Sequence, residues 1–291
     1  MTNITAIITG HREGFLAGPA VASFEETVTF ARKAGLTVDT LVILDKPDTL
    51  TRQFFENFAR ASHELILTTG GDPGLTRNAG VDAAKGDYIA FLDADDMWSF
   101  NWLTEAFRFC EAEVDDTIAH SELNVVFGAG GQLWFHADSK AEDFNVSYQR
   151  IANYWDAMSF GLRRIYKEIP FERNALSEGF GHEDWHWNNL TLEKGIAHRP
   201  VPGTVHFKRR RPGSQMAQVD KSDSFVRTSE LSDFRWKVPA SRSKAGASSH
   251  AVCGIEAENM VEEKRSSSKS SSSPRNNSRK TAAWSAQKVS E

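Results

Sequence analysis

The chain has 291 residues, enough for one large domain or two small ones. It is 40% apolar and carries a net charge of −5, divided as −9 over residues 1–237 and +4 over residues 238–291. An acidic body of that kind excludes a nucleic-acid-binding domain, and the two cysteines, Cys110 and Cys253, exclude a disulfide framework or a cysteine metal centre and fit a reducing compartment.

No basic stretch followed by an apolar one opens the chain, so no secretory signal is expected. No run of about 18 apolar residues is present to span a membrane. Apolar runs at residues 4–9, 38–44, 64–68 and 88–92 read as strands, and residues 20–34, 49–61 and 74–84 between them have helical spacing. In the first helical stretch Val21, Phe24, Val28 and Ala31 recur at three- and four-residue steps. This alternation predicts an α/β, Rossmann-like fold, a mostly parallel sheet with helices on both faces. Ligands of such sheets bind beyond the carboxyl ends of the strands.

Further along, Ser99 suits the N-cap of a helix reaching Glu113. Residues 118–127 and 132–135 read as strands joined by a glycine-rich hairpin at 128–131, and residues 163–167 as another strand. Residues 183–194 read as a helix stopped by Gly195. Residues 196–207 look extended, with Pro200 and Pro202 marking an edge or a bend. From residue 238 the composition collapses, and 266–273 is almost all serine. Such a segment cannot bury enough apolar surface to offset its ordering entropy, so residues 238–291 are expected to be a disordered tail following a domain over 1–237. The tail's mild positive charge suits contact with acidic phospholipid or another acidic surface, but a solvated tail without activity of its own is the favoured reading.

Three carboxylates, Asp93, Asp95 and Asp96, crowd the end of the strand at 88–92. Like charges that close repel, and a divalent metal holding a phosphate would relieve the cost. Upstream lie Arg77-Asn78-Ala79-Gly80 and Lys85-Gly86-Asp87-Tyr88, and then Leu92-Asp93-Ala94-Asp95-Asp96. In order and spacing these three blocks resemble the heart of the family 2 glycosyltransferases with the GT-A fold, a resemblance extending over about residues 3–215. It implies an enzyme that moves a sugar from a nucleotide-diphospho-sugar, a UDP- or GDP-sugar, to a glycan, lipid-linked or protein acceptor, with Mg²⁺ or Mn²⁺ on the diphosphate. The part up to about residue 98 would bind the donor, and residues 99–237 would supply the base and the acceptor surface. Polysaccharide biosynthesis in the cytoplasm, at the inner face of a membrane, is the setting it suggests.

By the same resemblance Asp95 would touch the metal and Asp93 the ribose or a metal-bound water. Asp45 falls where the family places an aspartate that accepts a hydrogen bond from the base, although Asp45-Lys-Pro-Asp48 departs from the usual Asp-Asp-x-Ser. Thr9 and His11, at the end of the first strand, would line the same pocket, with Arg77 beside them. A second block, Phe171-Glu172 followed by Gly179-Phe-Gly-His-Glu-Asp-Trp-His-Trp187, resembles the family's acidic pair at a helix start. Its general base would be Asp184, with Glu183 as the substitute; a helix N-terminus keeps a carboxylate ionised, and attack opposite the diphosphate inverts the anomeric carbon. Residues 205–214 resemble the family's closing segment, in which a histidine can complete the metal site. Here Arg211 stands in that place, suited to a diphosphate, and His206 is the histidine available as a metal ligand.

Two rivals share these residues. His182-Glu-Asp-Trp-His186 satisfies the His-Glu-x-x-His signature of a zinc metalloprotease. A sugar-nucleotide nucleotidyltransferase has a related sheet, but would need a basic glycine-rich loop after the first strand, where residues 9–18 offer Arg12 alone.

Overall fold

A computed structural model describes residues 3–60, 62–211 and 221–232. Strand and helix alternate at first: β1 (Ile4–Gly10), α1 (Ala17–Lys33), β2 (Val38–Asp45), α2 (Thr49–Ala59), β3 (Glu64–Thr68), α3 (Pro73–Ala83) and β4 (Tyr88–Asp93). Then follow β5 (Met97–Trp98), α4 (Trp102–Ala112), β6 (Thr117–Gly128), β7 (Gln132–Phe135), α5 (Val146–Gln149), β8 (Phe160–Leu162) and α6 (Arg163–Glu168). The last elements are β9 (Phe180–Gly181), α7 (Glu183–Glu193), β10 (Ala197–Arg210) and β11 (Phe225–Val226). Residues Met1–Trp236 form one compact unit. The serine-rich segment at 238–291 and Pro212, Gly213 and Ser214 of the closing segment lie outside the described residues.

One sheet runs in the order β3-β2-β1-β4-β8-β6-β10-β5, with β7 added beside β6. The long pairings, β1 with β2 and β4, β2 with β3 and β6 with β10, are parallel; β8 runs antiparallel between β4 and β6. Parallel strands covered on both faces need apolar residues at successive positions. β1 meets that need, for all seven of its residues are buried. Alternation sends Ile4, Ala6 and Ile8 into a core with Phe24 and Val28 of α1 and Trp102 and Leu103 of α4. Ile7 enters a second core with Val81 of α3, Tyr166 of α6 and Trp187 of α7. Helices therefore cover both faces of a mostly parallel sheet.

Two local expectations fail. Residues 163–167 form the helix α6, not a strand; Ile165 and Tyr166 are buried side by side with Ile169 packed against the same core, a helical spacing that alternation does not produce. Asn101, not Ser99, precedes α4, because Ser99 is held elsewhere. Its N–H donates to the Val205 carbonyl at 2.7 Å and its Oγ accepts from the Val205 N–H at 3.0 Å, tying the segment after the carboxylates to β10.

Candidate active site

β1, β2 and β4 are neighbours in register, so Thr9, Asp45 and Asp93 come together at their carboxyl ends. Thr9 Oγ1 donates to Asp93 Oδ1 at 2.9 Å. Asp45 is buried; its Oδ1 accepts from Thr68 Oγ1 and its Oδ2 from the Asp72 N–H, both at 3.1 Å. His11 is exposed, and its Nδ1 bonds the Asp45 carbonyl. Gly10 is needed between them, since a Cβ there would stand 2.9 Å from Leu44 Cδ2 and 3.1 Å from Ala94 Cβ.

Arg77 joins the two sequence blocks. Asp72 caps α3 by accepting from the Leu75 N–H at 3.0 Å, and Pro73 opens the helix. The first turns of α3 then carry Arg77 under the sheet end, where it is 3% exposed. One guanidinium nitrogen donates to Asp93 Oδ1 at 3.0 Å and another to Glu183 Oε1 at 2.9 Å, while the Phe171 ring lies 5.7 Å below. Burial opposes that charge, but Asp93, Glu183 and Asp184 hold it firmly protonated. Asn78 makes the companion link: its Nδ2 donates to the Phe171 carbonyl at 2.8 Å and its Oδ1 accepts from the Phe171 N–H at 3.0 Å.

The acidic pair opens α7 after His182, which adopts a left-handed φ of 61°. Glu183 has both oxygens engaged, the second by Asn174 Nδ2 at 2.8 Å. Asp184 differs. Its Oδ1 accepts only the adjacent Trp185 N–H among the described hydrogen bonds, at 2.8 Å, and the residue keeps part of its surface open. Burial pushes its pKa up to about 7; the Glu183 charge adds to the rise, and Lys208 and Arg77 pull against it. A carboxylate poised there can hold or accept a proton near neutrality.

Beyond β4, Asp95 Oδ2 accepts from Arg211 Nε at 2.6 Å, and Arg211 also reaches Glu13 Oε1 at 3.1 Å. Burial raises the pKa of Glu13, the His11 N–H it accepts lowers it, and Asp95 raises it further. Asp96 is buried, accepts from the Arg209 N–H at 2.6 Å and is pushed well above the usual carboxylate range by burial. Arg209 lies over the Phe127 ring at 4.6 Å, and Lys208 turns to Asp156 Oδ2 at 3.3 Å. Of the basic run, Arg209 and Arg211 contact the segment carrying Asp95 and Asp96.

His206 stands elsewhere than expected of a ligand beside Asp95. Side chains alternate along β10, so Arg209 reaches the Asp95 carbonyl while His206 and Lys208 share the other direction; Arg211, just past the strand, reaches the Asp95 carboxylate. His206 is fully buried, edge-on to Trp102 at 4.5 Å. Burial lowers its pKa to about 3, and the charges it feels are those of Asp156, His136 and Lys208. The metalloprotease arrangement is absent too: His186 is buried 3.4 Å from Glu172, His182 precedes the helix, and among the described residues the two form no metal-holding group.

Mg²⁺ or Mn²⁺ prefers hard oxygen ligands and needs one or two carboxylates beside a diphosphate. Asp93 Oδ2 and Asp95 Oδ1 accept from none of the described residues, so each offers a free oxygen of the hard kind such an ion takes. Glu13, Asp72 and Asn174 are members of this site that sequence reasoning missed. Asp72-Pro73 carried a helix-start signal, whereas nothing in the sequence marks Glu13 or Asn174.

The sequence matches the family model described as glycosyl transferase family 2 over residues 21–170. No curated protein matches it in sequence. Among solved structures, S. aureus TarS 1–349 has 16% identity and a TM-score of 0.53, over 75% of this chain and 63% of that one. The same fragment in complex with UDP-GlcNAc has 16% identity and a TM-score of 0.51, over 74% of this chain and 61% of that one. The mannosyltransferase PcManGT from Pyrobaculum calidifontis, in complex with GDP-Man and Mn²⁺, has 14% identity and a TM-score of 0.50, over 74% of this chain and 59% of that one. These likenesses are of the GT-A fold, and the chain spans less than two thirds of the length of each of these structures.

Proposed function

The chain belongs to glycosyl transferase family 2, and on that premise we propose that it is an inverting nucleotide-sugar glycosyltransferase with Asp184 as its general base. The observation that carries this reading is the Arg77 bridge. It ties Asp93, at the donor end of the sheet, to Glu183, the immediate neighbour of Asp184.

The residues divide the work as follows. Asp45, Thr9 and His11 line the nucleoside side, and Asp93 is held in place by Thr9 and Arg77. Asp93 and Asp95 would hold Mg²⁺ or Mn²⁺, which when bound acts as a Lewis acid for the diphosphate. Arg211, now on Asp95, is the side chain able to turn a guanidinium fork toward phosphate oxygens. Glu183 is fully engaged and serves to position, while Asp184 takes the proton of the acceptor hydroxyl. That oxygen forms the new bond to the anomeric carbon, the bond to the diphosphate oxygen breaks, and the nucleoside diphosphate leaves with the electron pair. The anomeric centre inverts in this single displacement. The donors seen with structures of the same fold, UDP-GlcNAc and GDP-Man, support a UDP- or GDP-sugar, and the acceptor is a glycan, lipid-linked or protein hydroxyl.

Asp184→Asn should retain donor binding by calorimetry and lose transfer by about 10²- to 10⁴-fold, the usual size of a general-base contribution. Normal transfer by that variant would overturn the assignment. Because the raised acid must be ionised to act, wild-type transfer should increase as pH rises through about 7. Asp95→Ala should abolish the Mn²⁺-dependent part of donor binding.

A further inference from the structure

Four of the nine histidines gather between β6, β10 and the segment before β8. His120 and His198 are fully buried, as is His206, and His136 is 5% exposed. Asp156, 2% exposed, lies among them, with the Trp155 ring stacked on His198 at 4.4 Å and on His120 at 5.7 Å. One ligand atom each from His120, His136 and Asp156 lie within 4.8 Å of one another.

The hydrogen bonds fix which ring nitrogens carry lone pairs. Thr191 Oγ1 gives its proton to the Trp187 and Asn188 carbonyls at 2.9 and 3.0 Å, as helical threonines do, so it accepts from His198 Nε2 at 2.7 Å. His198 Nδ1 is then the acceptor for His120 Nε2–H at 2.9 Å. That leaves a lone pair on His120 Nδ1, which is buried without a hydrogen-bond partner. On His136, Nδ1–H donates to the Ser121 carbonyl at 2.7 Å, so Nε2 carries the lone pair. Burial keeps both rings neutral. An imidazole whose far nitrogen is fixed by a carbonyl or a second side chain is the usual form of a metal-ligating histidine.

We propose that His120, His136 and Asp156 form a second, structural cation site, selective for Zn²⁺. Neutral imidazoles with one carboxylate suit that ion better than Mg²⁺ or Mn²⁺. The ligand atoms have partners now: Asn124 Nδ2 lies 3.2 Å from His136 Nε2 and donates to Asp156 Oδ2 at 2.8 Å, the Met158 N–H donates to Asp156 Oδ1 at 3.1 Å, and Lys208 Nζ lies 3.3 Å from Asp156 Oδ2, so an entering ion must displace the Asn124 amide and the Lys208 ammonium. Lys208 also feels Asp96, Asp93 and Asp184, so its ammonium has other carboxylates to turn toward when an ion takes Asp156.

The test uses the full chain, stripped with a chelator and dialysed against Zn²⁺ alone. Wild type and Asp95→Ala should each retain one tightly bound Zn²⁺ and gain melting temperature with it. His120→Gln and His136→Gln should each weaken Zn²⁺ by more than the roughly 10- to 100-fold that loss of an outer-shell partner costs. Absence of tight Zn²⁺ in wild type, its loss in Asp95→Ala, or unchanged affinity in both histidine variants would overturn the proposal. Should those variants fail to fold, X-ray absorption of Zn²⁺-loaded wild type decides: scattering from at least two imidazoles supports the site, and its absence refutes it. None of these readouts depends on sugar transfer.

Discussion

Replacing Arg77 with Met removes the cation between Asp93 and Glu183 and leaves Glu183, 8% exposed, without its charge partner. Breaking a buried pair in this way costs about 3–5 kcal/mol, which urea unfolding at pH 7 should register. Arg77→Lys should not restore it, because a point charge cannot hold two carboxylates with a planar fork. Asp184 gives the opposite sign. Its pKa is about 7 folded and near the ordinary carboxylate value unfolded, so the folded state binds the extra proton between those values. Its contribution to stability is complete at low pH and lost as pH rises through about 7. Asp184→Asn, which mimics the protonated acid, should therefore melt higher than wild type at pH 8 and alike at pH 4. A lower melting temperature at pH 8 would show that the ionised carboxylate has a partner that raises stability.

At the scale of elements, α3 lies close against the sheet because Gly80 has no side chain. A Cβ there would meet Ile7 Cδ1 and Cγ2 at 3.1 Å and Ile43 Cγ1 at 3.4 Å, so Gly80→Val should cost about 1–3 kcal/mol by urea unfolding and displace Arg77 with the helix. The same closeness explains why this part was legible in sequence. Arg77, Asn78 and Gly80 sit at fixed steps on one helix, and the apolar runs of β1, β2 and β4 declare a sheet buried on both faces. The acidic pair at the start of α7 was legible for the same reason, as a local helix signal. Contacts made across long separations were not. Nothing near Glu13 announces Arg211, and nothing near Asn174 announces Glu183. The α6 segment misled because Arg163-Arg-Ile-Tyr-Lys fits a strand's composition, and only the packing of Ile165 and Tyr166 together against the second core decides it.

At the scale of the whole molecule, both cores and every residue of the candidate site lie within Met1–Trp236. A chain ended at Trp236 should keep its melting temperature to within about 2 °C of the full chain, the shift that roughly 1 kcal/mol or less produces in a domain of this size. A larger loss would show that residues beyond 236 contribute to the fold.

The Asn78 latch on Phe171 spans 93 residues and the Arg77 bridge to Glu183 spans 106. Contacts that distant in sequence form late, after loop closure has been overcome by more local structure. During synthesis the β1–β4 layer emerges first, and Arg77 must wait for Glu183 to leave the ribosome. A nascent chain can therefore carry a formed β1–β4 layer while Asp184, the proposed base, is still unplaced, and the candidate site becomes complete only when the second half docks.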